Sequence, residues 1–165
     1  MPDAADRRKQ GSGVTGTDIC GDDEALLTQF ESCSLPLERF HHGVHVRIVF
    51  LYLRRFPVLE VLARFPAALT RYADAHGKTG LYNETITWAY IFLIYERMVR
   101  AGGSLRWDEF QSQNPDLLTW KDSALKKYYR AETLSSGLAK RVFLFPDKFP
   151  ADDGSDTNRH EPPPV

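Results

Sequence analysis

The run Phe40-His41-His42-Gly43-Val44-His45-Val46-Arg47-Ile48-Val49-Phe50-Leu51-Tyr52-Leu53 opens with three histidines and then becomes apolar on nearly every side of a helix. A surface helix keeps a polar face, so one without such a face belongs inside a core. We expect a central helix from about His41 to Arg55, because Pro57 disfavours helix in the residue before it. A second run of this kind, Ile86-Thr87-Trp88-Ala89-Tyr90-Ile91-Phe92-Leu93-Ile94, sits in an expected helix from about Tyr82 to Ala101, stopped by Gly102-Gly103. Two core helices in one small chain must pack on each other.

The residues between them suit a single return helix. Pro57 fits its first turn, and Gly77 after His76 fits its end. Its buried stripe is expected at Leu59, Leu62, Ala63, Leu69 and Tyr72, with a kink at Pro66. Upstream, Leu26, Leu27, Phe30 and Cys33 share one face of a helix from about Asp23 to Cys33, its start favoured by Asp22 and Asp23. Downstream, Trp107 to Phe110 and Trp120 to Arg130 read as short helices. Leu138 to Phe145 is helical or extended, and one strand alone would have no partner. The fold class is therefore all-α: a compact single-domain helical bundle of four main helices plus short C-terminal helices.

The chain has 165 residues, 42% hydrophobic and 12% aromatic, with a formal net charge of -1. That is one domain with a real core. The charge gives no general attraction for nucleic acid or anionic lipid. Residues 1–20 and 151–165 are polar and are expected as disordered tails, leaving 21–150 as the helical domain. The tail position of His160 discounts it. Cys20 and Cys33 make no CxxC pair and no disulfide framework. No signal peptide is apparent, and the apolar runs are too short to span a bilayer. From these features a cytoplasmic protein is expected.

An up, down, up path would gather His41, His42, His45, His76 and Glu84 at one end of the bundle. His42 and His45 share a helix face, as do Glu84, Trp88 and Tyr95. A carboxyl group buried beside aromatics has its pKa raised and serves as an acid near neutral pH. Neutral imidazoles take or return a proton. Glu84, His42 and His45 are the candidate catalytic residues. Arg47, Tyr82, Asn83, Trp88, Tyr95 and His76 are the candidate substrate contacts, with Arg47 and two helix N-termini suited to a substrate carboxylate. Plainer readings compete. Histidine and asparagine at helix starts are often caps, and Glu84 suits a first turn by the dipole alone. Arg47 could pair with Glu84 or Glu96, and an aromatic stripe is more often core than substrate wall.

The segments His41 to Arg47, Tyr82 to Trp88 and Tyr128-Tyr129-Arg130-Ala131-Glu132-Thr133-Leu134 resemble a pattern found in small bacterial all-helical proteins of unassigned activity, over most of residues 37–147. The likeness extends to Ala139-Lys140-Arg141-Val142-Phe143 and Pro146-Asp147. It implies a shared fold and site, not a chemistry. Asn83 departs from it, since a histidine is expected there.

Other motifs are weak. Glu38 and His41 match the Glu-x-x-His spacing of di-iron bundles, but a second pair is missing. Gly77-Lys78-Thr79 resembles the end of a phosphate loop, but Tyr72 stands where its first glycine belongs. The basic and aromatic run Lys126 to Arg130 reads as a solvated face. The leading expectation is an enzyme without cofactor, performing Glu/His acid-base chemistry on a small aromatic or amine-containing molecule. A condensation and ring closure of Pictet–Spengler type is one example. The alternatives are a zinc or iron oxygenase or hydrolase using His41, His45, His76 and Glu84, and a non-catalytic module binding a small molecule or protein. The expected partner is a small molecule, with no nucleic acid and no membrane; a homo-oligomer is allowed.

Overall fold

The computed structural model describes residues 21–148, so the expectations for residues 1–20, 151–165 and Cys20 fall outside it. Among the described residues every regular element is a helix. The α-helices are α1 (Gly21–Glu31), α2 (His42–Arg55), α3 (Val58–Ala75), α4 (Glu84–Arg100), α5 (Trp107–Gln113) and α6 (Ala131–Ser135). Short 3₁₀ turns lie at Leu37–Arg39, Pro115–Leu117 and Ala124–Lys127. None of these helices is long and apolar enough to cross a membrane.

α2, α3 and α4 each pack against the other two, and α1 closes over α2 and α3. α2 is central, as its pattern requires: Val46 and every residue from Ile48 to Leu53 are buried. Phe30 of α1 anchors that helix by packing on Phe65 at 5.9 Å and Tyr72 at 5.4 Å between ring centroids. Burying one such ring contributes about 1.5–3 kcal/mol.

Several expectations are corrected. The buried stripe of α3 is Val61, Phe65, Ala68 and Tyr72, whereas Leu59 is 77% exposed. The large rings of Phe65 and Tyr72 set the rotation, because both meet Phe30. α3 is one continuous helix with Pro66 inside it, as expected. α1 ends at Glu31, and Cys33 follows in the left-handed region at φ 59°. No long helix spans Trp120 to Arg130. The Tyr128 carbonyl, which would serve a continuing helix, instead accepts the Asp147 and Lys148 N–H groups at 3.1 and 3.0 Å.

Residues 139–144 form an irregular strap across the start of α4. The Ala139 carbonyl accepts the Thr85 N–H at 3.0 Å, and the Lys140 carbonyl accepts that of Glu84 at 3.4 Å. The buried Thr85 hydroxyl donates to the Val142 carbonyl at 2.8 Å and accepts the Leu144 N–H at 3.0 Å. The strap thus satisfies N–H groups that a helix start leaves unpaired.

Candidate functional site

The bundle end carries a cavity of about 450 Å³, within the size range of ligand sites. Phe40, Leu69 and Tyr72 form apolar walls, and His45, Lys78 and Tyr82 supply the polar groups. α2 brings His45, α3 brings Tyr72 and Ala73, and the loop into α4 brings Lys78, Leu81 and Tyr82. The three chain segments meet here, but of the four histidines and Glu84 expected to gather, only His45 lines this cavity.

His45 is wedged between Phe40 and Phe65, each 5.3 Å away between ring centroids. Its ring makes no hydrogen bond to any described residue. Burial, with a smaller effect from nearby His42, pushes its pKa down to about 4, so the imidazole is neutral at neutral pH. The ring also lines a second, much smaller cavity of about 40 Å³, shared with His42, Thr87, Tyr90 and Trp120. His45 is the wall between the two spaces.

His42 faces only the smaller space. Its Nε2–H donates to the Leu117 carbonyl at 2.9 Å, since a carbonyl can only accept. Tyr90 and Trp120 meet the ring edge-on at 5.1 and 5.4 Å. Burial lowers its pKa, the Leu117 carbonyl opposes that, and His41 adds a small lowering. His41 is exposed as the residue before α2, with no side-chain capping bond. His76 stacks on Tyr72 at 4.3 Å, and its Nδ1–H donates to the Tyr72 carbonyl at 2.9 Å. It supports a wall of the larger cavity from behind.

Tyr82 donates its hydroxyl to the Glu84 carboxylate. Burial first, then that bond and the charge of Glu84, raise the Tyr82 pKa; the Thr87 hydroxyl and the Trp88 indole oppose this weakly. The Trp88 N–H, which bears on the Tyr82 hydroxyl, is buried without a hydrogen-bond partner. A buried donor left open beside a hydroxyl–carboxylate pair is uncommon in a folded core. Spacing put Glu84 and Trp88 on one helix face with Tyr95; it gave no reason to join Tyr82 to them, which the hydroxyl bond to Glu84 does.

Other candidates stand elsewhere. Arg47 is bound to Asp23, with Nε at 2.8 Å and an Nη at 2.5 Å, and lies 5.8 Å from the centre of Trp107. It pairs with neither Glu84 nor Glu96, because its face of α2 meets α1. Tyr95 is 39% exposed on the outer face of α4. Asn83 is a cap and a tether: its Oδ1 accepts the Ile86 N–H at 3.0 Å and its Nδ2 donates to the Leu134 carbonyl at 2.8 Å. With the strap on Glu84 and Thr85, the start of α4 has no free N–H pair for an anion, contrary to expectation. Among the described residues no three His, Cys, Asp or Glu side chains are grouped as metal ligands; His41, His45, His76 and Glu84 do not form one donor set.

The spacing argument missed Phe40, Tyr72 and Lys78. Tyr72 carried a signal, one turn before His76. Lys78 lay in a loop whose path has no periodicity to read. Comparison with protein-family models, with curated proteins and with solved structures found no match to this chain.

Proposed function

We propose that the chain is a small enzyme that moves protons on an aromatic or amine-bearing molecule held in the 450 Å³ cavity. One observation carries this reading: Tyr82, whose hydroxyl donates to Glu84, and the unpartnered, neutral His45 line the same apolar-walled space. Phe40 and Tyr72 would hold a flat apolar ring. A proton leaving the substrate would pass to the Tyr82 oxygen as the Tyr82 proton passes to Glu84. His45 would orient the substrate by a hydrogen bond, as neutral imidazoles do when their pKa is depressed. His42, tied to Leu117, supports His45 and takes no proton from the substrate.

Condensation of an arylethylamine with an aldehyde suits this equipment. The amine adds to the carbonyl and water leaves as an iminium forms. The ring carbon then attacks, and the relay removes the ring proton. The test is incubation of the purified protein with tryptamine and acetaldehyde, reading by mass the cyclised product that is lighter than the reactants by one water. Glu84→Gln should lower its rate about 100-fold or more with the circular dichroism unchanged, the usual scale of a lost acid-base group. Undiminished rate in that variant would sink the proposal. Saturable binding of arylethylamines with no product would replace it by a binding module, a role the apolar walls also suit. Stoichiometric zinc or iron in the purified protein, with turnover lost to a chelator, would replace it by metal chemistry.

A further inference from the structure

A further recess lies where the turn at Ala124–Lys127 and α6 meet α4, beyond Ile86 and Trp120 of the small cavity. It is a groove of about 550 Å³, floored by Ile86, Leu125, Tyr129 and Leu134. Trp120 stands at its edge, 58% exposed. Lys121, Lys126 and Lys148 complete the lining. Two of these lysines are held in place by backbone: Lys126 donates to the Lys121 carbonyl, and Lys148 to the Lys126 carbonyl at 2.7 Å.

The charge at this rim is one-sided. Three ammonium groups gather here although the whole chain carries a net charge of -1. Among the described residues, the carboxylate paired with them is Asp122, 3.6 Å from Lys126 and well exposed. Asp147, next to Lys148, is occupied by the Arg130 N–H at 2.8 Å and the Thr133 hydroxyl. Lys127 turns to Asp116 instead, at 3.6 Å. An apolar floor beside three lysines that share, among the described residues, one exposed carboxylate is matched by a molecule with an apolar tail and a single anionic end. The rim holds lysines and no arginine, so it offers point charges rather than a planar fork for phosphate.

We infer that this groove binds a free single-chain amphipathic anion, such as a medium-chain carboxylate, with its tail on Ile86, Leu125 and Leu134 and its charge among Lys121, Lys126 and Lys148. The site shares no lysine with the cavity of the proposed reaction. Its rim belongs to surface residues, so substitution there leaves the core intact. Trp120 makes the groove visible by fluorescence.

The test is a calorimetric and fluorescence titration of the full chain with decanoate, below its micelle concentration, in low salt. Saturable one-to-one binding should appear, with a Trp120 signal that is absent in Trp120→Phe. Lys121→Gln, Lys126→Gln and Lys148→Gln combined should weaken binding by about ten-fold or more. Lys78→Gln, in the other cavity, should not. Added salt should weaken binding in the native chain. Equal affinity for decyltrimethylammonium, unchanged affinity in the triple variant, or no saturable binding would overturn the inference. Sedimentation with phosphatidylglycerol vesicles, without binding of decanoate, would also overturn it by making the face a lipid-surface contact.

Discussion

At the scale of single residues, histidine serves four different ends here. Among the described histidines, His41 precedes a helix, His42 donates to the Leu117 carbonyl, His76 caps a helix and His45 alone faces the cavity without a partner. The sequence shows four similar residues at helix ends; only the contacts separate them. His45 differs because Phe40 and Phe65 take both faces of its ring, and neither contact could be read from i to i+4 spacing. Asn83 went the other way: the plain reading of it as a cap is the one the structure bears out. Replacing Asn83 with Ala removes a capping acceptor and a tie to Leu134. We expect a loss of about 1–2 kcal/mol in urea unfolding. No change in midpoint would show that water replaces both bonds.

At the scale of elements, the two apolar runs were legible because a helix buried on all sides has an unmistakable composition. The rest was harder. The face of α3 was misjudged by about one residue, since Leu59 and Phe65 are both apolar and only packing chooses between them. The strap could not be foreseen, because its bonds join residues more than fifty apart. Thr85→Val preserves shape but leaves the Val142 carbonyl and the Leu144 N–H without their hydroxyl. It should cost about 2–4 kcal/mol and speed amide hydrogen exchange in residues 139–144 before other segments. Uniform exchange across the chain would contradict that. Pro66→Ala restores a helical donor inside α3. A gain of about 1–2 kcal/mol is expected; a loss would mean that the ring's own packing outweighs the missing bond.

At the scale of the whole molecule, acid should act through His45. Its pKa is lowered from 6.5 to about 4 on folding, so the unfolded chain binds the extra proton more readily. Stability is then full above pH 6.5, falls as pH drops through that window and levels off below about 4, by up to about 3 kcal/mol. His42, lowered in the same direction, adds to the trend. Asp116, held down to about 2 by Arg97, contributes stability that fades only below its ordinary range. Urea midpoints from pH 7 to 4.5 should fall in the native chain and flatten in His45→Leu; parallel curves would refute the assignment. The bundle architecture was available from pattern because it rests on local periodicity, whereas the site depends on which faces meet. One feature of that meeting reaches into biosynthesis. The first N–H groups of α4 borrow their acceptors from Ala139 and Lys140, and translation proceeds from the other end. A ribosome paused before that point holds a nascent chain in which Tyr82 and Glu84 are already made while the Glu84 and Thr85 N–H groups still lack these acceptors, so the start of α4 can be completed only after residues 139 and 140 have been added.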